Sequence, residues 1–449
     1  MLKQLAASAV AAFLALGAFA NGAHAEDSAS PSLRIATFNA SLNRQAEGEL
    51  IKDLSTGDNQ QARNAAETIQ RINPDIVLVN EFDYDAKHAA QDLFRKNYLE
   101  VSQEGADPVK YPYAWSGPVN TGVPSGLDLN NDGKVEGPDD AWGFGMFPGQ
   151  YGFVVYSKYP IKADDVRTFQ NFLWKDMPNN AMPEGWFDAE ETKQVRLSSK
   201  THADIPVQVG NETLHVLAAH PTPPSFDGPE QRNKRRNNDE IRIWADYISG
   251  KADYLYDDEG VKGGLDPNAH FAILGDYNSD PNDGDSMPGS IDQLLKNPRV
   301  LDPKATSQGA VEAAKQGGAN DSHKSDPKFD TADFNDDPRP GNIRVDYTLF
   351  NAATTTVSDA AVFWPASSDP LSRLTGEYPF PTSDHRLVWA DVTLAGSTND
   401  DGSKPAPDTD GGQDDGGHDD GGQDDGGQDD GGASDDEQPA KPGLPDTGR

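Results

Sequence analysis

Six polar groups stand where short apolar runs stop, and their types suit hydrolytic chemistry. Arg34 to Phe38 leads to Asn39, and Ile76 to Val79 leads to Asn80 and Glu81. Leu214 to Ala219 leads to His220, and Phe271 to Gly275 leads to Asp276 and Asn278. Asp346 lies in Arg344-Val345-Asp346-Tyr347, and Asp384-His385 stands just before the apolar run at Val388-Trp389. Strand ends are rigid and the loops beyond them are open to solvent, so carboxylates, amides and imidazoles fixed there can arrange a water and a metal around a substrate. Taken singly, an Asp after a strand is a turn residue or a cap. The ordered series is what points to chemistry. Cysteine is absent, which excludes thiol catalysis and cysteine-ligated zinc, and no G-x-S-x-G elbow supplies a serine nucleophile.

The elements that must hold these groups read as strands and helices in alternation. Ile76–Val79, Phe153–Tyr156, Leu214–Leu217, Phe271–Leu274 and Val388-Trp389 are strand-length and rich in β-branched or aromatic residues. Helices are expected at about 61–72 and 229–249, the second with Ile241, Trp244 and Ile248 at helical spacing. Residues 26–395 therefore read as one domain of the α/β class, a sandwich of mixed sheets flanked by helices.

The motifs T-F-N at 37–39, N-E-F at 80–82, Y-S-K-Y-P-I at 156–161, H-P at 220–221, G-D-Y-N at 275–278, R-V-D-Y at 344–347 and S-D-H-R at 383–386 follow one another in order. In this the chain resembles the endonuclease/exonuclease/phosphatase superfamily, the deoxyribonuclease I-like fold shared with sphingomyelinases and inositol phosphatases. The resemblance implies a four-layer α/β sandwich and a metal-dependent phosphoesterase. Glu81, assisted by Asn39, would hold Mg²⁺ or Mn²⁺, which suit hard oxygen ligands. His385 would be the general base, oriented by Asp346. Asp276 and Asn278 would position water and a phosphoryl oxygen, Asp384 would add support, and His220 would stabilise developing charge or protonate the leaving oxygen. Water would attack in line.

Two further features lie outside that series. Asp128, Asn130, Asp132, Lys134 (through its carbonyl), Glu136 and Asp139 follow the EF-hand and dockerin loop pattern, with Gly133 at the turn, and predict a structural Ca²⁺ in an insertion near 128–139. Arg232, Lys234, Arg235 and Arg236 form a basic cluster at the start of the second helix, expected to meet substrate phosphate or to be a solvated face; Lys200 and His202 are weaker candidates of the same kind.

The ends of the chain bear on location. Residues 1–25 read as a secretory signal, with Lys3, an apolar run from Leu5 and an Ala23-His24-Ala25 cleavage site, so the mature protein is expected to be exported, without a membrane span and monomeric. Residues 396–443 read as a disordered acidic linker in which Gly-Gly-Gln/His-Asp-Asp repeats from Gly411 to Asp430. Leu444-Pro445-Asp446-Thr447-Gly448 in the final segment 444–449 resembles the pentapeptide cut by cell-wall sortases, which would make a sortase a partner and the wall a destination. The net charge is −36, and the last fifty residues hold sixteen acids against three bases, so the domain itself stays acidic. Such a surface opposes general nucleic-acid binding unless cations bridge the contact. The leading expectation is an extracellular nuclease; the alternatives are a phosphomonoesterase or phospholipid phosphodiesterase, and an inactive wall-displayed binding module.

Overall fold

The computed structural model describes residues 32–337 and 339–397. The signal segment, the pentad linker and the sorting motif lie outside the described residues.

Alternation of apolar residues builds two six-stranded sheets. The first runs, in spatial order, Thr355–Val362, Val388–Leu394, Ser32–Asn39, Ile76–Asn80, Phe153–Ser157 and Tyr113–Trp115. The second runs Arg167–Thr168, Ala203–Val209, Glu212–Ala219, His270–Asp276, Asp346–Asn351 and Val300–Leu301. Each sheet has one parallel pair, Ser32–Asn39 with Ile76–Asn80 and Glu212–Ala219 with His270–Asp276, so both are mixed. Side chains two apart share a face. Leu33, Ile35, Ile76, Leu78, Val155, Ile205, Val216, Ala272, Leu274 and Val392 therefore meet between the sheets. Their neighbours Ala36, Phe38, Val77, Val79 and Tyr156 point outward to helices Glu49–Leu54, Gln60–Ile72 and Ala89–Phe94. On the other side Leu217, Ala219, Phe271 and Ile273 pack on Ile241, Trp244 and Tyr247 of the long helix Arg232–Tyr247. The result is the four-layer sandwich.

Helix ends have local causes. Asn59 caps Gln60–Ile72 by accepting from the Ala62 amide, and Asn73 ends it in the left-handed region at φ 51°. The long helix starts at Arg232 rather than near 229 because the Asp227 carboxylate takes the Asn233 and Lys234 amides at 2.6 and 3.0 Å.

Register brings the chemistry together. Asn39 pairs with Asn80 across the first sheet, and Asp276 faces Asp346 directly across the second. Gly275, φ 147°, sits where any Cβ would collide with the carbonyl of Ala219, so only glycine lets the strands carrying His220 and Asp276 close up. No described helix is long and apolar enough to cross a membrane.

Candidate active site

At the strand ends the chain turns sharply. Ser41, Glu81 and Asn278 all adopt φ between 50° and 55°, a region non-glycine residues enter only when their surroundings hold them. The turn after Ile76–Asn80 swings Glu81 toward Asn39, whose amide nitrogen donates to Glu81 Oε1 and to Asp276 Oδ2, each at 3.1 Å. Asn43 donates to the other Glu81 oxygen at 2.7 Å.

Asp276 is the hub. Its Oδ2 lies 3.4 Å from His220 Nε2 and 3.6 Å from His385 Nε2, while its Oδ1 accepts the Asn278 amide at 2.9 Å. His385 Nδ1 meets Asp346 Oδ2 at 2.9 Å, and Thr331 donates to that same oxygen at 2.8 Å. The imidazole is thus held from one side with its second nitrogen facing the hub. Phe334 packs edge-on against the ring at 5.2 Å between centroids. Ser383 ties this segment to the first sheet by donating to the Asn39 carbonyl at 2.8 Å, and Ser41 reaches Asp384 at 3.4 Å. Asn278 Nδ2 donates to the Pro221 carbonyl at 3.1 Å, beside His220.

Burial sets the electrostatics. Desolvation raises the Glu81 carboxyl and pushes Asp276 up to about 7, partly offset by His385. Burial alone would lower His385, but Asp346 and Asp276 carry it up to about 10. His220 is driven well down by burial and by the positive charges of Lys200 and His385, so it stays neutral. Lys200 is 6% exposed, and burial lowers it against the pull of Glu240, Glu81 and Asp276. Its ammonium has no hydrogen bond or salt bridge among the described residues, which leaves it available to an anion in the cleft.

Asn39, Glu81, His220, Asp276, Asn278, Asp346, Asp384 and His385 are therefore assembled in one place. The donors fit a divalent cation. They are hard oxygens, no Lys or Arg forms an ion pair with Glu81 or Asp276 among the described residues, and one buried oxygen of Asp346 has no partner. Asp276, Asp346 and His385 bring ligand atoms within 4.8 Å of one another. Asn39 turns its nitrogen toward Glu81, so here it aligns the carboxylates that would hold the ion.

The other predicted groups go elsewhere. Arg232 donates to the Leu129 carbonyl at 2.7 Å and Arg235 to Ala181 at 3.4 Å. Arg236 donates to the carbonyls of Leu197, Trp142, Arg196 and Ser198 at 2.6–3.2 Å. Arg232, Arg235 and Arg236 thus give these bonds to backbone carbonyls of the protein itself, because they open a helix whose first turn faces those carbonyls. His202 is likewise internal, bonded to Ser198 and the Glu240 carbonyl. In the 128–139 loop the Asp128 carboxylate takes the Asp132 and Gly133 amides at 3.0 and 2.9 Å, and Asp132 takes that of Lys134 at 2.9 Å. Among the described residues, the acids of that loop form no three-ligand group of the kind made by Asp276, Asp346 and His385. Asp140, absent from the predicted set, instead pins the loop through the Leu129 and Glu136 amides.

A family model described as the endonuclease/exonuclease/phosphatase family matches residues 36–385. The chain belongs to this family. Members of the endonuclease/exonuclease/phosphatase family are metal-dependent phosphoric ester hydrolases. Among solved structures, the chain is similar to an endonuclease/exonuclease/phosphatase from Beutenbergia cavernae, with 17% identity over 82% of this chain and 72% of that one, TM-score 0.45. It is also similar to sphingomyelinase C from Streptomyces griseocarneus, with 15% identity over 81% and 99%, TM-score 0.42. A third is the human Nocturnin catalytic domain, with 11% identity over 82% and 96%, TM-score 0.40. No curated protein matches the chain in sequence.

Asn43 and Thr331 went unread in the sequence. Asn43 sits four residues beyond Asn39 in T-F-N-A-S-L-N, a spacing that invited the question; Thr331 has no local cue, being fifteen residues from Asp346.

Proposed function

We propose that this protein is an exported phosphodiesterase, dependent on Mg²⁺ or Mn²⁺, that cleaves its substrate by direct attack of water. The observation that carries the reading is the contact of Asp276 with His220, His385 and Asn39 at 3.1–3.6 Å. His385, backed by Asp346, accepts the proton of the attacking water at Nε2 when the ring is neutral, a form that gains as pH rises toward about 10. Neutral His220 donates a hydrogen bond to a phosphoryl oxygen, and Lys200 offers its ammonium to the same group. Asn278 and Asp276 fix the water and phosphate relative to each other. Glu81 and Asp276 would hold a divalent cation, which would supply charge to offset what develops on the phosphoryl oxygens.

The nuclease reading leaned on the 232–236 cluster for its basic groove. Those guanidinium groups bind carbonyls of the protein itself, and this favours a second reading, in which the substrate is a compact phosphoester such as a phospholipid head group or a phosphomonoester. Export rests on the signal-like start, and wall attachment on the Leu-Pro-Asp-Thr-Gly segment. The test is to assay the mature chain with Mg²⁺ or Mn²⁺, and with EDTA, on plasmid DNA, RNA, bis-p-nitrophenyl phosphate, p-nitrophenyl phosphate and phospholipid vesicles. Metal-dependent diester cleavage is expected, and DNA or RNA turnover well above that of the small esters would return the protein to the nucleases.

A further inference from the structure

The long helix Arg232–Tyr247 turns polar side chains toward the backbone on which the site is mounted. Glu240 is fully buried, and its two oxygens accept the Ser199 and Thr222 amides, each at 2.6 Å. Asn237, also fully buried, donates to the Thr222 and Tyr277 carbonyls, each at 2.9 Å. Ser199 precedes Lys200, Thr222 is two residues past His220, and Tyr277 follows Asp276. Three apart on one helix face, Asn237 and Glu240 thus reach all three segments at once.

A carboxylate is costly to bury unless its lone pairs are taken, and here two short, charge-assisted bonds take them. An apolar side chain would fill the same space at less cost if packing alone were needed. Asn237 adds the complementary grip: Thr222 gives its N–H to Glu240, and its C=O receives Asn237. The two peptide groups that flank the Thr222 Cα are therefore both fixed in orientation, and the stiff Pro221-Thr222-Pro223 chain carries the constraint back to His220.

We propose that Glu240 and Asn237 are positioning residues that set the spacing of Lys200, His220 and Asp276 around the substrate phosphate. The proposal rests on the phosphoesterase reading of the site.

It is tested with Glu240→Gln in the mature chain, assayed on bis-p-nitrophenyl phosphate with Mg²⁺. A glutamine has one acceptor oxygen for two amides and turns an NH₂ group against the other. With native circular dichroism, kcat should fall about 10²-fold, the loss expected for a misplacement near 1 Å, with KM changing far less. In a Lys200→Ala, His220→Ala background the same substitution should cost only a few-fold, because groups acting through one another are not additive. An equal loss in both backgrounds would overturn the proposal. If Glu240→Gln does not fold, the wild type decides: the Ser199 and Thr222 amide protons should appear at low field and exchange slowly by NMR, and fast exchange at either overturns the clamp. Wild-type enzyme inactive on every phosphoester named above would overturn the reading of the site itself, whereas normal turnover left intact by Glu240→Gln would overturn the clamp alone.

Discussion

Asp276 and Asp346 face each other across adjacent antiparallel strands, and the His385 imidazole spans them, with Nδ1 2.9 Å from Asp346 and Nε2 3.6 Å from Asp276. One carboxylate orients the ring and the other shares the space where a reacting water must sit. Because the pairing of the strands fixes the two acids, the ring has a single productive orientation. His385→Ala should lower kcat about 10²- to 10⁴-fold while leaving the melting temperature near that of the wild type. Steady-state kinetics on bis-p-nitrophenyl phosphate with a thermal melt checks this, and full activity would remove His385 from the mechanism.

Asn43 holds Glu81 Oε2 at 2.7 Å, so it acts on the cation through the carboxylate. Outer partners of this kind tune metal affinity. Asn43→Ala should raise the Mg²⁺ concentration for half-maximal rate about 10- to 100-fold, with the rate at saturating Mg²⁺ largely recovered. EDTA should abolish turnover in both proteins, and excess Mg²⁺ should restore it.

Arg236 serves four backbone carbonyls, one of them that of Trp142, just past the 128–139 loop. Arg236→Ala leaves those acceptors short of a charged donor and should cost roughly 2 kcal/mol or more of stability. KM for a phosphodiester should move little. Denaturant unfolding and kinetics on one preparation separate the two effects; a stable variant with a raised KM would restore the cluster to substrate binding.

Asp330 has its carboxyl pushed up to about 9, first by burial and then by Asp280, Asp283 and Asp326. In the unfolded chain it ionises near pH ~4. The fold is therefore best served below that pH, and the contribution is lost as pH rises toward the folded value. Asp330→Asn removes the dependence. It should raise the melting temperature by a few degrees at pH 8 and change it little at pH 4, as thermal melts across that range would show.

The strand-end residues were legible because a sheet ties position to sequence. An apolar run of period two must be a buried strand, and the polar residue that ends it must emerge at the rim, so Asn39, Glu81, His220, Asp276, Asp346 and His385 could be read with the layers. What a sequence does not carry is which way a helix faces when both of its sides are polar. Arg232, Arg235 and Arg236 look like a solvent-facing cluster, and only the neighbouring carbonyls of Leu129, Ala181 and Leu197 show that they turn inward. Glu240 and Asn237 were hidden for the same reason. Thr331 was out of reach because its bond to Asp346 depends on a two-stranded pairing, Ala332–Asp333 with Asn342–Ile343, of the shortest kind.

The first and last strands of the domain lie side by side, with Ser32 opposite Thr393 and Thr37 opposite Val388. Asn39 and His385 therefore sit at one pole of this pair and the junctions with the rest of the chain at the other, about 20 Å away at the usual rise per residue. Ser397, the last described residue of this end, lies at the pole opposite the catalytic cleft. An enzyme moored through that end would present its open face to the surroundings and its closed end to whatever holds it.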